Sequence, residues 1–160
     1  MNCEPPLPSL QPAPAATSYT YDAANRLTST ARPNGLASDR TYDNADRLLS
    51  VLNRNGGTPI SSFTYTLDNV GNRTQVIDTA GTTTYGYDDL YRLTAATYPN
   101  GDTQTYTYDA MGNRLTMVNN GATTTYGYDD ADRLTQFNAV NNTLDDNGNL
   151  LALGIGTNLA

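Results

Sequence analysis

The chain has 160 residues, the length of one domain, and its 38% hydrophobic content with a mean hydropathy of -0.54 leaves little for a thick core. All nine cations are Arg, fifteen of the sixteen acids are Asp, Lys, His and Trp are absent, and Cys3 is the one cysteine. Those absences exclude an imidazole base, a Schiff-base amine, a His-ligated zinc and an internal disulfide framework. A net charge of -7 and a pI near 4.2 repel polyanions, so no nucleic acid and no anionic membrane surface is expected as a partner.

In chain order, the first segment is MNCEPPLPSLQPAPAATS, which holds five of the eight Pro residues. It lacks a cationic residue and an apolar stretch long enough for a signal peptide, so residues 1 to 18 read as an extended, Pro-rich disordered leader. The longest apolar run, Leu150 to Ile155, is far too short for membrane insertion.

From Tyr19 the sequence repeats itself. Copies begin at Tyr21 (YDAANRL), Tyr42 (YDNADRL), Leu67 (LDNVGNR), Tyr87 (YDDLYRL), Tyr108 (YDAMGNR) and Tyr128 (YDDADRL), spaced 21, 25, 20, 21 and 20 residues apart. These six copies define residues 19 to 143. A seventh, LDDNGNL from Leu144, lacks both the Tyr and the Arg and occupies residues 144 to 160, so the array reads as cut rather than capped.

Ahead of each motif the residues alternate, as in TQTYTYD and TTTYGYD, and period two with Thr and Tyr predicts a strand. A second Tyr stands two positions before the motif in five copies, at Tyr19, Tyr65, Tyr85, Tyr106 and Tyr126, with Arg40 in the other. Both rings of a copy then share one face, and Thr83, Thr84, Thr124 and Thr125 are expected to line the other. The motif Asp is suited to accept its own downstream amides, so the chain turns there. A return strand such as RLTMV or RLTAA follows and ends at another turn, Asn34-Gly35, Asn55-Gly56-Gly57, Ala80-Gly81, Asn100-Gly101 or Asn120-Gly121. No helix is expected. The fold class is therefore all-β, a meander of tandem antiparallel hairpins in which each copy leans on its neighbours.

YDxxxRL and YDxxGNRL with an upstream Tyr, at periods near twenty residues, resemble the YD repeats of the Rhs family over residues 19 to about 150. The family includes bacterial Rhs polymorphic toxins, shell components of insecticidal toxin complexes, wall-associated proteins and teneurins. The resemblance implies a curved or spiralling β-sheet forming part of a shell that encloses or presents a toxin or cell-surface domain. It implies secretion or surface display, and as partners the neighbouring repeats of a longer chain, other copies meeting at sheet edges, a toxin domain or a cell-surface glycan. Toxin-bearing relatives carry an Asp-Pro core motif and a self-cleaving aspartyl site. This sequence has no Asp-Pro dipeptide, so neither self-cleavage nor toxicity carries over.

Two readings attach to the motif charges. Asp22, Asp43, Asp68, Asp88, Asp109 and Asp129 would ligate Ca²⁺ or act as acids, with Arg26, Arg47, Arg73, Arg92, Arg114 and Arg133 holding an anion; or they are turn chemistry, each Arg pairing with the carboxylate of its own or the next copy. Six equivalent copies favour a framework over a catalytic site, which needs one differentiated constellation. The pairs Asp88-Asp89, Asp129-Asp130 and Asp145-Asp146 do not make a glycosidase pair, since neighbours on a strand face opposite ways. DDNGN from Asp145 resembles half a calcium loop, but Gly156 stands where the closing acid belongs. No enzyme activity, metal or cofactor is expected. The motif Tyr21, Tyr42, Tyr87, Tyr108 and Tyr128 and their upstream partners either pack between strands or expose ring faces to sugars, with Tyr85, Tyr106 and Tyr126 as the candidate carbohydrate contacts.

Overall fold

The computed structural model describes residues 16–152. Residues 1–15 of the expected leader, and residues 153–160 of the expected seventh copy with Gly156, lie outside the described residues. The chain divides into two compact units, Met1–Ser62 and Phe63–Ala160. The first contains β1 (Ser18–Tyr21), β2 (Leu27–Ala31), β3 (Leu36–Tyr42), β4 (Leu48–Asn55) and the start of β5 (Thr58–Leu67). The second contains the rest of β5, then β6 (Arg73–Asp78), β7 (Gly81–Tyr87), β8 (Leu93–Thr97), β9 (Thr103–Tyr108), β10 (Arg114–Asn119), β11 (Ala122–Tyr128), β12 (Leu134–Phe137) and β13 (Val140–Asn141). A separate two-stranded pair follows, β14 (Thr143–Leu144) with β15 (Leu150–Ala152).

Strands neighbour one another in chain order from β1 to β13, with antiparallel ladders inside each unit and no helix among the described residues. Alternation sets the faces. Along β9, Thr103, Thr105 and Thr107 are exposed while Gln104, Tyr106 and Tyr108 are half-buried. The same alternation corrects one expectation about the Thr residues. Thr84 and Thr125 do lie on the exposed face, but Thr83 and Thr124 share parity and partial burial with Tyr85 and Tyr126. Among the described residues only Ala37 and Ala96 are buried apolar side chains, with Thr30 and Ser38 the buried polar ones. Side-chain ladders on one half-buried face therefore take the place of a two-layer core.

Two backbone features recur in every copy. The register shifts beside the motif's first position, between Thr20 and Tyr21, Thr41 and Tyr42, Thr66 and Leu67, Gly86 and Tyr87, and Gly127 and Tyr128, and in the ladder of Arg114 and Thr116. The return strand thus carries a β-bulge at each site. At Thr28, Thr74 and Thr135 the bulged hydroxyl donates across to the carbonyl of Thr20, Thr66 and Gly127, at 3.2, 3.2 and 3.3 Å. The second feature is a left-handed residue three positions after the motif Asp: Asn25, Asp46, Tyr91 and Asp132 with φ near 60°, and Gly71, Gly112 and Gly148 with φ of 82° to 103°.

Asn and Asp tolerate that conformation, whereas an aromatic side chain with φ of 62° is strained by about 1–2 kcal/mol. Tyr91 is exposed. Tyr91→Asn should therefore raise the urea unfolding midpoint, with a gain of roughly 0.5–1 kcal/mol. A lower midpoint would show that the ring contributes contacts worth more than the strain.

Candidate functional site

Every motif Asp closes the same turn. In the first copy Asp22 N donates to Arg26 O at 3.0 Å and Asn25 N to Asp22 O at 3.0 Å. Asp22 Oδ1 accepts from the backbone N of Ala24 and Arg26 at 2.9 and 3.0 Å, and Oδ2 accepts Arg26 Nε at 2.7 Å. Asp43, Asp88 and Asp129 repeat this pattern with Arg47, Arg92 and Arg133, the Nε to Oδ2 distances being 2.6, 2.7 and 2.7 Å. Each carboxylate is satisfied by the turn it closes.

The GN copies use a different partner. Asp68 and Asp109 accept Asn72 and Asn113 Nδ2 at 2.8 and 3.0 Å, in the place Arg fills elsewhere, and Asp145 accepts Asn149 Nδ2 at 2.9 Å. The degenerate seventh copy therefore keeps the turn without its Tyr or Arg. The expectation that all six Arg pair with motif carboxylates is corrected for Arg73 and Arg114, neither of which forms a salt bridge among the described residues. The reason is register. The Gly-Asn pair pushes Arg one position on, to the residue directly opposite the motif's first position, as in Arg73 opposite Leu67 and Arg114 opposite Tyr108. Cross-strand partners share a face, so these guanidiniums lie over rings. Arg73 sits 4.2 Å from the Tyr65 centroid, and Arg114 sits 4.3 Å from Tyr126 and 5.9 Å from Tyr106.

Successive copies are tied by a second set of contacts. The motif Tyr hydroxyl donates to a backbone carbonyl of the preceding copy, always that of the fifth residue after its Asp. Tyr42 reaches Leu27 O at 2.9 Å, Tyr87 reaches Arg73 O at 2.9 Å, Tyr108 reaches Leu93 O at 2.7 Å and Tyr128 reaches Arg114 O at 3.1 Å. In return, Arg26 Nη1 donates to Asp43 O at 2.6 Å and Arg92 Nη1 to Asp109 O at 2.8 Å, while their guanidiniums lie 5.2 and 4.9 Å from the Tyr42 and Tyr108 centroids. Arg26 also meets Asp46 of the next copy at 2.9 Å. Tyr21, on β1, makes no such hydroxyl contact among the described residues and is 59% exposed.

The electrostatics follow from these bonds. The backbone N–H of Arg92 and, against a desolvation cost, its side chain hold Asp88 below the usual carboxylate range. Backbone then side-chain bonds from Arg26 and Arg47 do the same for Asp22 and Asp43, and the backbone N–H of Arg133 does so for Asp129. For Asp109 and Asp145 the Asn side chain is the main cause; at Asp68 burial pushes upward, but Asn72 and the turn amides outweigh it. Burial raises the phenols of Tyr87, Tyr106 and Tyr128. A carboxylate held ionised, with both oxygens occupied by its own turn, is poorly placed to shuttle a proton or ligate a cation.

Of the paired acids, the second member, Asp89, Asp130 or Asp146, faces solvent while the first closes the turn. Among the candidate sugar contacts, Tyr106 and Tyr126 both lie near Arg114, and Tyr126 also meets Phe137 edge-on at 5.6 Å. Tyr85 is half-buried opposite Ala96.

Repeating Tyr-Asp-Arg turns on one antiparallel sheet describe a repeat protein whose units are joined side chain to backbone. The RHS Repeat family model matches residues 15–37, 21–59, 68–103 and 92–120. The chain belongs to that family. Its fold is similar to that of a chain in the Tc holotoxin pore of Photorhabdus luminescens, at 20% identity and a TM-score of 0.66 over 83% of this chain. It is likewise similar to chains in the TcdB2-TccC3-TEV structure, at 20% identity and a TM-score of 0.66 over 89% of this chain, and in TcdB2-TccC3 without its hypervariable C-terminal region, at 21%, 0.66 and 83%. It spans only 9%, 10% and 9% of those three chains. No curated protein gives a significant sequence match.

Two outcomes are expected. A carboxylate held low in the folded state contributes stability that is present above its unfolded value, near 3.8, and is lost as pH falls through the folded value. The urea midpoint should be flat from pH 7 to about 5 and drop below about pH 4, less steeply in Asp88→Asn; equal midpoints at pH 6 and pH 3 would contradict the turn geometry. Tyr108→Phe should cost about 0.5–1.5 kcal/mol through the orphaned Leu93 carbonyl, whereas Tyr21→Phe should be nearly neutral. Equal losses would mean that the hydroxyl link carries no stability.

Proposed function

We propose that the chain is a non-catalytic structural segment of an Rhs-type protein, a stretch of β-wall that encapsulates or presents a toxin or cell-surface domain. The observation that carries this reading is the hydroxyl-to-carbonyl link from one copy to the next, which ties weak hairpins together within each compact unit. Residues 19–143 supply six copies of that unit and residues 144–160 a degenerate one, behind a leader at residues 1–18. Equivalence of the turns argues the same way, because each Asp is spent on its own backbone and none is set apart. The partners are neighbouring repeats of a longer chain, or other copies through sheet edges. Placement outside the cell or on its surface accompanies this reading, as does enclosure of a toxin domain. Glycan contact through Tyr85, Tyr106 and Tyr126 is the weaker alternative, since Arg114 lies against two of the three rings.

The test is association. β1 stands first in the sheet order and carries Tyr19 and Tyr21 at 56% and 59% exposure. Light scattering should show an apparent mass that rises with concentration, and Tyr21→Lys should lower it by charging the edge. A monomer at every concentration would overturn the wall reading.

A further inference from the structure

Where successive copies meet at their Asp turns, an arginine of one copy is held in a socket built by the next. Between the first and second copies, Arg26 lies 5.2 Å from the Tyr42 ring centroid, donates Nη1 to Asp43 O at 2.6 Å and meets Asp46 Oδ1 at 2.9 Å. Between the fourth and fifth, Arg92 repeats the first two contacts, 4.9 Å from the Tyr108 centroid and 2.8 Å from Asp109 O. The socket is an aromatic face, a turn carbonyl and, where the third residue after the motif Asp is acidic, a carboxylate.

The sixth copy supplies all three parts in Tyr128, Asp129 O and Asp132, but the fifth copy sends no arginine into them. Asn113 stands at the position of Arg26, and Arg114, one residue on, lies over Tyr126 and Tyr106 instead. No guanidinium lies over Tyr128 among the described residues. Asp129 O accepts Asp132 N at 2.9 Å and no side-chain donor among the described residues, whereas Asp43 O accepts both Asp46 N and Arg26. Asn113 Nδ2 donates to Asp132 Oδ1 at 2.7 Å, which fixes that carboxylate and leaves its Oδ2 without a partner among the described residues. An open cavity of about 400 Å³ lies at this point, and its lining includes Met111, Leu115, Tyr128, Asp129, Asp130 and Asp132. Asn72 makes the same exchange ahead of the fourth copy, but Tyr91 stands there in the place of Asp132.

We propose that this cavity receives an arginine side chain from a partner polypeptide. The incoming guanidinium takes the position that Arg26 takes in its own copy pair, over the Tyr128 ring, donating to Asp129 O and to Asp132 Oδ2. Exposed Met111 and Leu115 flank the aliphatic stem. Asp130 and the chain's charge of -7 favour a cationic partner. A metal ion is the poorer occupant: Asp109 and Asp129 are spent on their own turns, and no set of three ligating side chains converges among the described residues. The site does not depend on the wall reading, because a chain that stays monomeric can still bind arginine and one that associates can fail to.

The test is a nuclear magnetic resonance titration of the full chain with acetyl-Gly-Arg-Gly-amide, and with the same peptide carrying Lys or citrulline in place of Arg. The Arg peptide should shift the amides of Met111, Asp130 and Asp132 saturably, with a Kd of about 1–10 mM, as suits one small group in one socket. Lys, which lacks the planar fork, should bind about 3-fold more weakly or worse, and citrulline, alike in shape but uncharged, weakest of all. Asp132→Asn keeps an acceptor for Asn113 and tolerates the φ of 59°, so the melting curve should hold while binding weakens on the order of 10-fold. Asn113→Arg places at that turn the residue that closes the turns of Asp22 and Asp88, and it should abolish binding by filling the socket from within. Absence of saturable shifts up to about 50 mM Arg peptide would overturn the proposal. So would undiminished binding in either variant, or a Lys or citrulline peptide that binds as tightly as the Arg peptide.

Discussion

A sheet whose described residues bury only two alanines as apolar side chains cannot be held by a core, so the phenol-to-carbonyl bond between copies is the interaction on which the rest depends. It joins a side chain of one copy to the backbone of another, at a carbonyl beside the bulge, where ladder pairing is disrupted. An unmet carbonyl on a half-buried face is costly, and the Tyr hydroxyl meets it. The ring also contributes apolar area and, in the Arg26 and Arg92 copies, a surface beneath a guanidinium.

Arg does two jobs according to one residue of spacing. Four residues after Asp it lies beside the carboxylate, closes the turn and, at Arg26 and Arg92, reaches the next copy's backbone. Five residues after Asp it falls on the ring face, and Asn inherits the carboxylate. The exchange is possible because both Arg Nε and Asn Nδ2 present an N–H at the same distance from Oδ2, near 2.7 to 3.0 Å. At Arg114 the exchange leaves a cost, since its Nε is buried without a hydrogen-bond partner among the described residues.

Much of this was legible beforehand. Alternating Thr and Tyr declared the strands, and the spacing of Tyr, Asp and Arg placed the turns, because both signals are local. The bulge was not legible: nothing in Leu-Thr after Arg distinguishes a paired residue from an extra one until the facing strand is known. The face of Thr83 is hidden for a related reason, since a run of three Thr carries no contrast and only parity with Tyr85 decides. A cavity lined by Tyr98, Gln104 and Asn119 is not legible either, as it joins an aromatic in the turn after β8 to residues of β9 and β10. Asn100-Gly101 announced only a turn there.

The exception at Leu67 shows how much the motif tolerates. Leu fills the position facing Arg73 but has no hydroxyl, so the copy it opens lacks the donor that Tyr42, Tyr87, Tyr108 and Tyr128 supply. The spacing before it is also the longest, at 25 residues, and β5, at 10 residues, is the longest strand. It is within β5 that the chain divides into its two compact units. Asp68 still closes its turn through Asn72, which is why the sequence period survives the replacement of the motif Tyr by Leu.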